Sequence, residues 1–144
     1  MEINIDRFGL ENVQVDPETL FTFPKGMAGF EDFKQFKLFH EEGGGTVFWL
    51  QSVDDADVTF PIVAPDTLDI TYEIRLSDED CALLGVADEA DEADVVVVVI
   101  VYRKEAKGDI TVNTHSPVIL NLKTHVGMQK TLQDVRPGVV YRAR

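Results

Sequence analysis

Val95-Val96-Val97-Val98-Val99-Ile100-Val101 is apolar at every position. Successive side chains of a strand point to opposite faces, so this run offers apolar side chains to both. Such a strand is central and covered on both sides, as in a barrel or a sandwich. Extended by Tyr102, the run is still far shorter than the roughly 20 apolar residues of a membrane-spanning helix.

Short strands recur on either side of it. Downstream, Lys104 to Asp109 reads as a turn into Ile110-Thr111-Val112-Asn113. Pro117 then precedes Val118-Ile119-Leu120-Asn121-Leu122, Met128 to Gln133 alternates, and Val139-Val140-Tyr141 makes a short last strand. Upstream, Ile3 and Ile5 alternate with Asn4 and Asp6, and Leu20 to Phe23 is a strand ended by Pro24. Phe36 to His40 and Thr46 to Gln51 flank Glu41-Glu42-Gly43-Gly44-Gly45, a hairpin signal with glycines free to take positive φ. Thr59 to Val63 contains Pro61, which lacks an N–H and suits an edge or a bulge. Thr71 to Leu76 alternates cleanly and reads as a further strand.

One helix is expected. Ser77 is a good N-cap, Asp78, Glu79 and Asp80 suit the positive end of the helix dipole, and Gly85 offers a left-handed stop. The following Ala87 to Asp94 carries Asp88, Glu89, Asp91, Glu92 and Asp94, which repel one another at helical spacing, so a loop is expected there. The pattern is mainly β: about ten strands and one short helix in a small, largely antiparallel β-barrel, one domain over residues 1–144. On alternation, Phe48, Leu50, Val97, Val99, Val112 and Ile119 are the expected core. Trp49 and Gln51 then share the opposite face, where Trp49 is either exposed or packed under a loop.

Charge is segregated. The 144 residues carry a net −13, and the segment Asp54 to Asp94 alone carries fourteen carboxylates against one cation, Arg75. From Lys123 to Arg144 the balance reverses, with Lys123, Lys130, Arg136, Arg142 and Arg144 against Asp134. An acidic surface repels nucleic acid and attracts basic partners. The candidate binding residues follow: Trp49 as an anchor beside Asp54, Asp55 and Asp57; the loop residues Asp88, Glu89, Asp91 and Glu92; and Asp78 and Asp80 on the helix. The bland alternative is a solvated surface that maintains solubility.

Enzyme signatures are weak. The chain has no P-loop, no Gly-x-Gly-x-x-Gly after a strand and no Gly-x-Ser-x-Gly. Adjacent His115 and Ser116 would point apart on a strand, and His115 with His125 has no recognised zinc spacing. The acidic run lacks the ligand order of a calcium loop, so no cofactor and no metal is expected. Cys81 has no second cysteine to pair with. The N-terminus lacks the basic and apolar regions of a signal peptide, which points to the cytoplasm and away from membranes.

Several stretches carry a family resemblance. They are Phe23-Pro24-Lys25-Gly26-Met27-Ala28-Gly29-Phe30, Phe48-Trp49-Leu50-Gln51-Ser52-Val53-Asp54-Asp55, Pro61, the valine run, Thr111-Val112-Asn113, and Pro117-Val118-Ile119-Leu120-Asn121. In order and at natural spacing they resemble the FliW family of flagellar assembly factors over nearly the whole chain. The resemblance implies a non-enzymatic cytoplasmic protein with two protein partners in exchange, flagellin and the RNA-binding translational repressor CsrA. It further implies antagonism of that repressor by binding away from its RNA groove. The acidic charge balance, for its part, argues against direct contact with nucleic acid. Two rivals stand beside it: a small-barrel hydrolase or lyase using Asp54 or Asp55 with His115, and an acidic chaperone without a regulatory partner.

Overall fold

A computed structural model describes residues 1–43, 45–104 and 109–132. The strands are β1 (Glu2–Ile5), β2 (Leu10–Gln14), β3 (Phe21–Thr22), β4 (Gln35–His40), β5 (Phe48–Ser52) and β6 (Thr59–Val63). Two short helices follow, α1 (Asp78–Leu84) and α2 (Glu89–Glu92). Then come β7 (Val95–Lys104), β8 (Asp109–Val112), β9 (Val118–Asn121) and β10 (Val126–Gln129).

Strand order β6-β5-β4-β3-β10-β9-β7, with β6 also pairing β7, closes a seven-stranded barrel. Closure removes the exposed edges an open sheet would present. Among the described residues all pairings are antiparallel except one, Val126 on β10 with Thr22 on β3. β7 is the keystone. It pairs β9 through Val95–Val98, β6 through Val99 and Ile100, and β8 through Val101–Lys104. Pro61 pairs with Trp49 of β5 just before the β6–β7 ladder begins at Ile62, so its missing N–H breaks no bond on that side.

The two-faced valine run is explained by two cores. Val96, Val98 and Ile100 point into the barrel with Phe23, Phe36, Leu50, Ile62, Val118 and Leu120. Val95, Val97, Val99 and Val101 point outward, where Tyr72, Ile74 and Leu84 cover them together with Ile119 and Met128. A third layer lies under the β1–β2 hairpin, where Ile3, Ile5, Val15 and Leu20 pack against Phe8, Phe39 and Val53.

Several expectations change. Thr71 to Leu76 keeps its alternation, with Tyr72 and Ile74 buried and Glu73 and Arg75 exposed, but it pairs with no strand among the described residues and lies extended across the outer face of the barrel. The acidic run is not a loop throughout. Asp88 caps α2 by accepting the Asp91 N–H at 3.1 Å, and Asp91 accepts the Ala87 N–H at 2.8 Å. Capping bonds and proximity to the helix N-terminus offset the carboxylate repulsion that argues against a helix. Phe48 is 43% exposed, while Trp49 is 8% exposed. The parity of β5 holds, with Leu50 fully buried inside, but Phe48 lies at the barrel rim and the N-terminal hairpin covers Trp49. Val97 and Val112 are half-buried in the outer layer. The alternating stretch near Met128 is a strand from Val126 to Gln129. Val139–Tyr141 lies outside the described residues.

Candidate partner-binding surface

The N-cap expected at Ser77 forms, as part of a full capping box. The Ser77 hydroxyl accepts the Asp80 N–H at 3.0 Å, and the Asp80 carboxylate accepts the Ser77 N–H at 3.0 Å. Gly85 ends α1 at φ 80, and Leu84 anchors the helix in the outer core. The Leu84 carbonyl, orphaned at the helix end, accepts from the Asn121 amide at 2.8 Å and from the Thr124 hydroxyl at 2.9 Å. α1 is thereby bolted to the β9–β10 turn.

Between the extended segment, α1 and α2 runs a groove. One part, about 560 Å³, is lined by Glu73, Ile74, Arg75, Leu76, Cys81 and Glu92. The adjoining part, about 470 Å³, shares Cys81 and Glu92 and adds Asp78, Asp88 and Glu89 with small apolar side chains. Five carboxylates therefore border a floor of apolar and thiol groups, with Arg75 the one cation among the described lining residues.

Of the predicted residues, Asp78, Asp88, Glu89 and Glu92 come together in this groove. Asp80 does not. It turns inward and accepts from Lys130 Nζ at 2.6 Å. Burial pushes its carboxyl up, but the bonds and charge of Lys130 and Ser77 outweigh that and hold it below the usual range. Asp91 is likewise internal to the motif, bonded to the Ala87 N–H and 3.9 Å from Lys123 Nζ. Glu73 was missed by sequence reasoning. Its signal was present: alternation puts it and Arg75 on the face opposite Tyr72 and Ile74.

Asp54, Asp55 and Asp57 form a separate cluster in the β5–β6 turn. Buried Ser52 accepts the N–H groups of Asp54 and Asp55 at 3.0 and 3.2 Å, and Asp55 accepts the Asp57 N–H at 2.9 Å. A hydrogen bond with Asp6, then repulsion from it, raises the carboxyl of exposed Asp57 above its ordinary value. Trp49 is no part of an open surface. Phe8 meets it edge-on at 5.0 Å, and the Arg7 guanidinium sits 4.7 Å above its ring.

Among the described residues the ring of the proposed catalytic histidine, His115, makes no hydrogen bond or ion pair. His115 is exposed, its carbonyl accepts the Leu132 N–H, and neighbouring Ser116 Oγ approaches Thr131 Oγ1 at 3.4 Å. Among the described residues no group of three or more His, Cys, Asp or Glu is placed to hold a metal ion. Nor, among them, is any helix long and apolar enough to cross a membrane.

Comparison with known proteins is decisive for the family. The model of the FliW protein family matches residues 3–142. The chain belongs to the FliW family. The flagellar assembly factor FliW of an Azoarcus species is 42% identical, aligned over 100% of this chain and 99% of that protein. The flagellar assembly factor FliW 1 of Desulfotalea psychrophila is 38% identical over 85% of this chain and 86% of its own length. A crystal structure of the flagellar assembly factor FliW superposes with a TM-score of 0.80 at 27% identity, covering 94% of this chain and 91% of the other. The β-barrel is thus the FliW fold, and the protein is a flagellar assembly factor by family.

The stretches that resemble the FliW family are joints of that barrel. Phe23 is fully buried, and its carbonyl accepts the Gly26 N–H at 2.9 Å to close the Phe-Pro-Lys-Gly turn. Gly26 has φ +66, and a Cβ there would lie 2.6 Å from Glu31 Cα. Buried Gln51 accepts from the Thr59 hydroxyl and donates to the Asp55 carbonyl at 3.1 Å, tying β5 to its turn. Asn121 is 1% exposed and, besides holding α1, accepts from the N–H groups of Lys123 and Thr124. Gln51 and Asn121 thus meet the requirement that buried polar groups be paired.

Proposed function

We propose that this protein is a non-enzymatic cytoplasmic adaptor, a single FliW-like barrel domain over residues 1–144. It binds flagellin and the translational repressor CsrA in exchange. Free protein holds the repressor and relieves its block on flagellin translation; accumulating flagellin occupies the protein and releases the repressor. Membership of a family of flagellar assembly factors over residues 3–142 is the observation that carries this reading. The acidic groove supports it physically. A repressor that binds RNA must carry basic surface, and carboxylates gathered over an apolar floor complement such a surface by charge and by contact. Asp78, Asp88, Glu89 and Glu92 are the proposed docking residues, with Asp54, Asp55 and Asp57 as a second acidic patch. Asp80, Asp91 and Trp49 support these surfaces from within.

The test is capture from a flagellated bacterium's lysate at low and at high salt, with the retained proteins identified. Recovery of flagellin and of a small basic RNA-binding protein is expected, the latter lost first as salt rises. Recovery of flagellin alone at every salt concentration would favour a chaperone without a regulatory partner.

A further inference from the structure

The mouth of the barrel is open and apolar. A cavity of about 520 Å³ is walled by Leu38, Ile62, Val96, Val98 and Leu120 from the inward faces of their strands, and Val63 and Val97 of the outward faces also line it. Phe48 and Leu122 stand at its rim, 43% and 44% exposed. No described lining residue is charged. Around it, exposed Glu41 and Glu42 lie in the β4–β5 turn, exposed Asp66 precedes the lining Thr67, the Asp94 carbonyl accepts the N–H of rim residue Leu122 at 2.8 Å, and the His40 ring lies 4.5 Å from that of rim residue Phe48. The nearest cation in sequence, Lys123, lies 3.9 Å from Asp91.

We propose that this mouth is a second docking site, taking the apolar side chains of an amphipathic partner helix whose flanks carry Lys or Arg. The size suits a ligand site in general, but the lining argues for a side-chain anchor over a free small molecule. Oriented small ligands need convergent polar groups. Of the two lining hydroxyls, that of Thr67 is spent on the Ala64 carbonyl, leaving Thr46. An amphipathic helix needs only an apolar socket for residues spaced i, i+3, i+4 and a complementary charged border. The site rests on the adaptor reading but is distinct from the α1–α2 groove, so each can fail alone.

The test uses synthetic helical peptides with Leu along one face and either Lys or Glu on the other. Titration of the intact protein should shift the methyl resonances of Leu38, Val96, Val98 and Leu120 with the Leu/Lys peptide and far less with Leu/Glu. Phe48→Ala with Leu122→Ala truncates exposed groups, so the fold persists, which a thermal melt verifies. Affinity for the Leu/Lys peptide should fall about tenfold or more. Capture of flagellin and repressor by the parent protein, run in parallel, reports on the adaptor reading separately. Three results would each overturn the proposal: shifts confined to α1 and α2, equal affinity for both peptides, or binding of a fatty acid such as laurate where neither peptide binds.

Discussion

Asp80 of α1 and Lys130, just beyond β10, meet at 2.6 Å with side chains only 13% and 23% exposed. This contact joins the acidic helix to the barrel, while the exposed pair Lys25–Glu79 at 3.2 Å adds little. Since the folded protein holds Asp80 below its ordinary value, the ionised pair stabilises the fold above the unfolded carboxylate value of about 3.9. That contribution is lost as pH falls through the folded value. Lys130→Met should cost about 1–2 kcal/mol near neutrality and flatten the acid limb of the stability curve. Urea unfolding from pH 7 downward, about one unit at a time, measures both.

Tyr72 predicts the opposite limb. Its ring is buried, its hydroxyl donates to the Thr114 carbonyl at 2.8 Å, and burial pushes its pKa up to about 12. A phenol raised above its unfolded value of about 10 stabilises below that value and loses the contribution as pH rises toward the folded one. Alkaline unfolding between these values should weaken in Tyr72→Phe. Tyrosinate absorbance of the native protein should show Tyr72 as a late-titrating step in the parent that the variant lacks.

Two glycines predict steric failures. Gly127 faces the Phe23 ring so closely that an added Cβ would overlap it, and Gly26 combines positive φ with contact to the Glu31 backbone. Gly127→Ala should cost about 1–3 kcal/mol, because a packed core resists even one added carbon. Gly26→Ala should cost more, since backbone cannot rotate away as a ring can. Gly9→Ala, with open space around its Cβ, is the control with backbone strain alone.

The central strand predicts a cavity effect. Val99 is fully buried in the outer core. Val99→Ala should lower stability by roughly 1–3 kcal/mol in denaturant unfolding. Unchanged unfolding would mean that the outer layer under Tyr72 and Leu84 is not close-packed.

Where the sequence spoke through local rules, it was legible. The Phe36–Gln51 hairpin, the two-faced valine strand, the Ser77 cap and the Gly85 stop each follow from alternation, turn chemistry or capping. Placement of a layer is another matter. Alternation told that Trp49 and Leu50 face opposite ways, but not that residues 1–15 would fold over Trp49. The same limit applies to Thr71–Leu76, whose period is a strand's but whose backbone pairs with no other strand among the described residues. Burial of one face fixes the alternation whether or not a ladder forms. At the site, charge segregation identified the acidic region. It could not separate Asp80 and Asp91, which hold the structure, from Asp78, Asp88, Glu89 and Glu92, which line the groove, because that depends on where Lys130 and the Ala87 N–H lie.

The central claim is that the groove carboxylates dock the basic repressor. The most direct measurement is calorimetric titration of a variant with Asp78→Asn, Asp88→Asn, Glu89→Gln and Glu92→Gln against both partners. Asn preserves the Asp88 cap, and Asp80 and Asp91 stay intact, so folding is retained. Repressor affinity should fall about tenfold or more, steeply at low salt, while flagellin affinity stays within about twofold. A folded variant that keeps repressor affinity within about twofold of the parent would contradict the account.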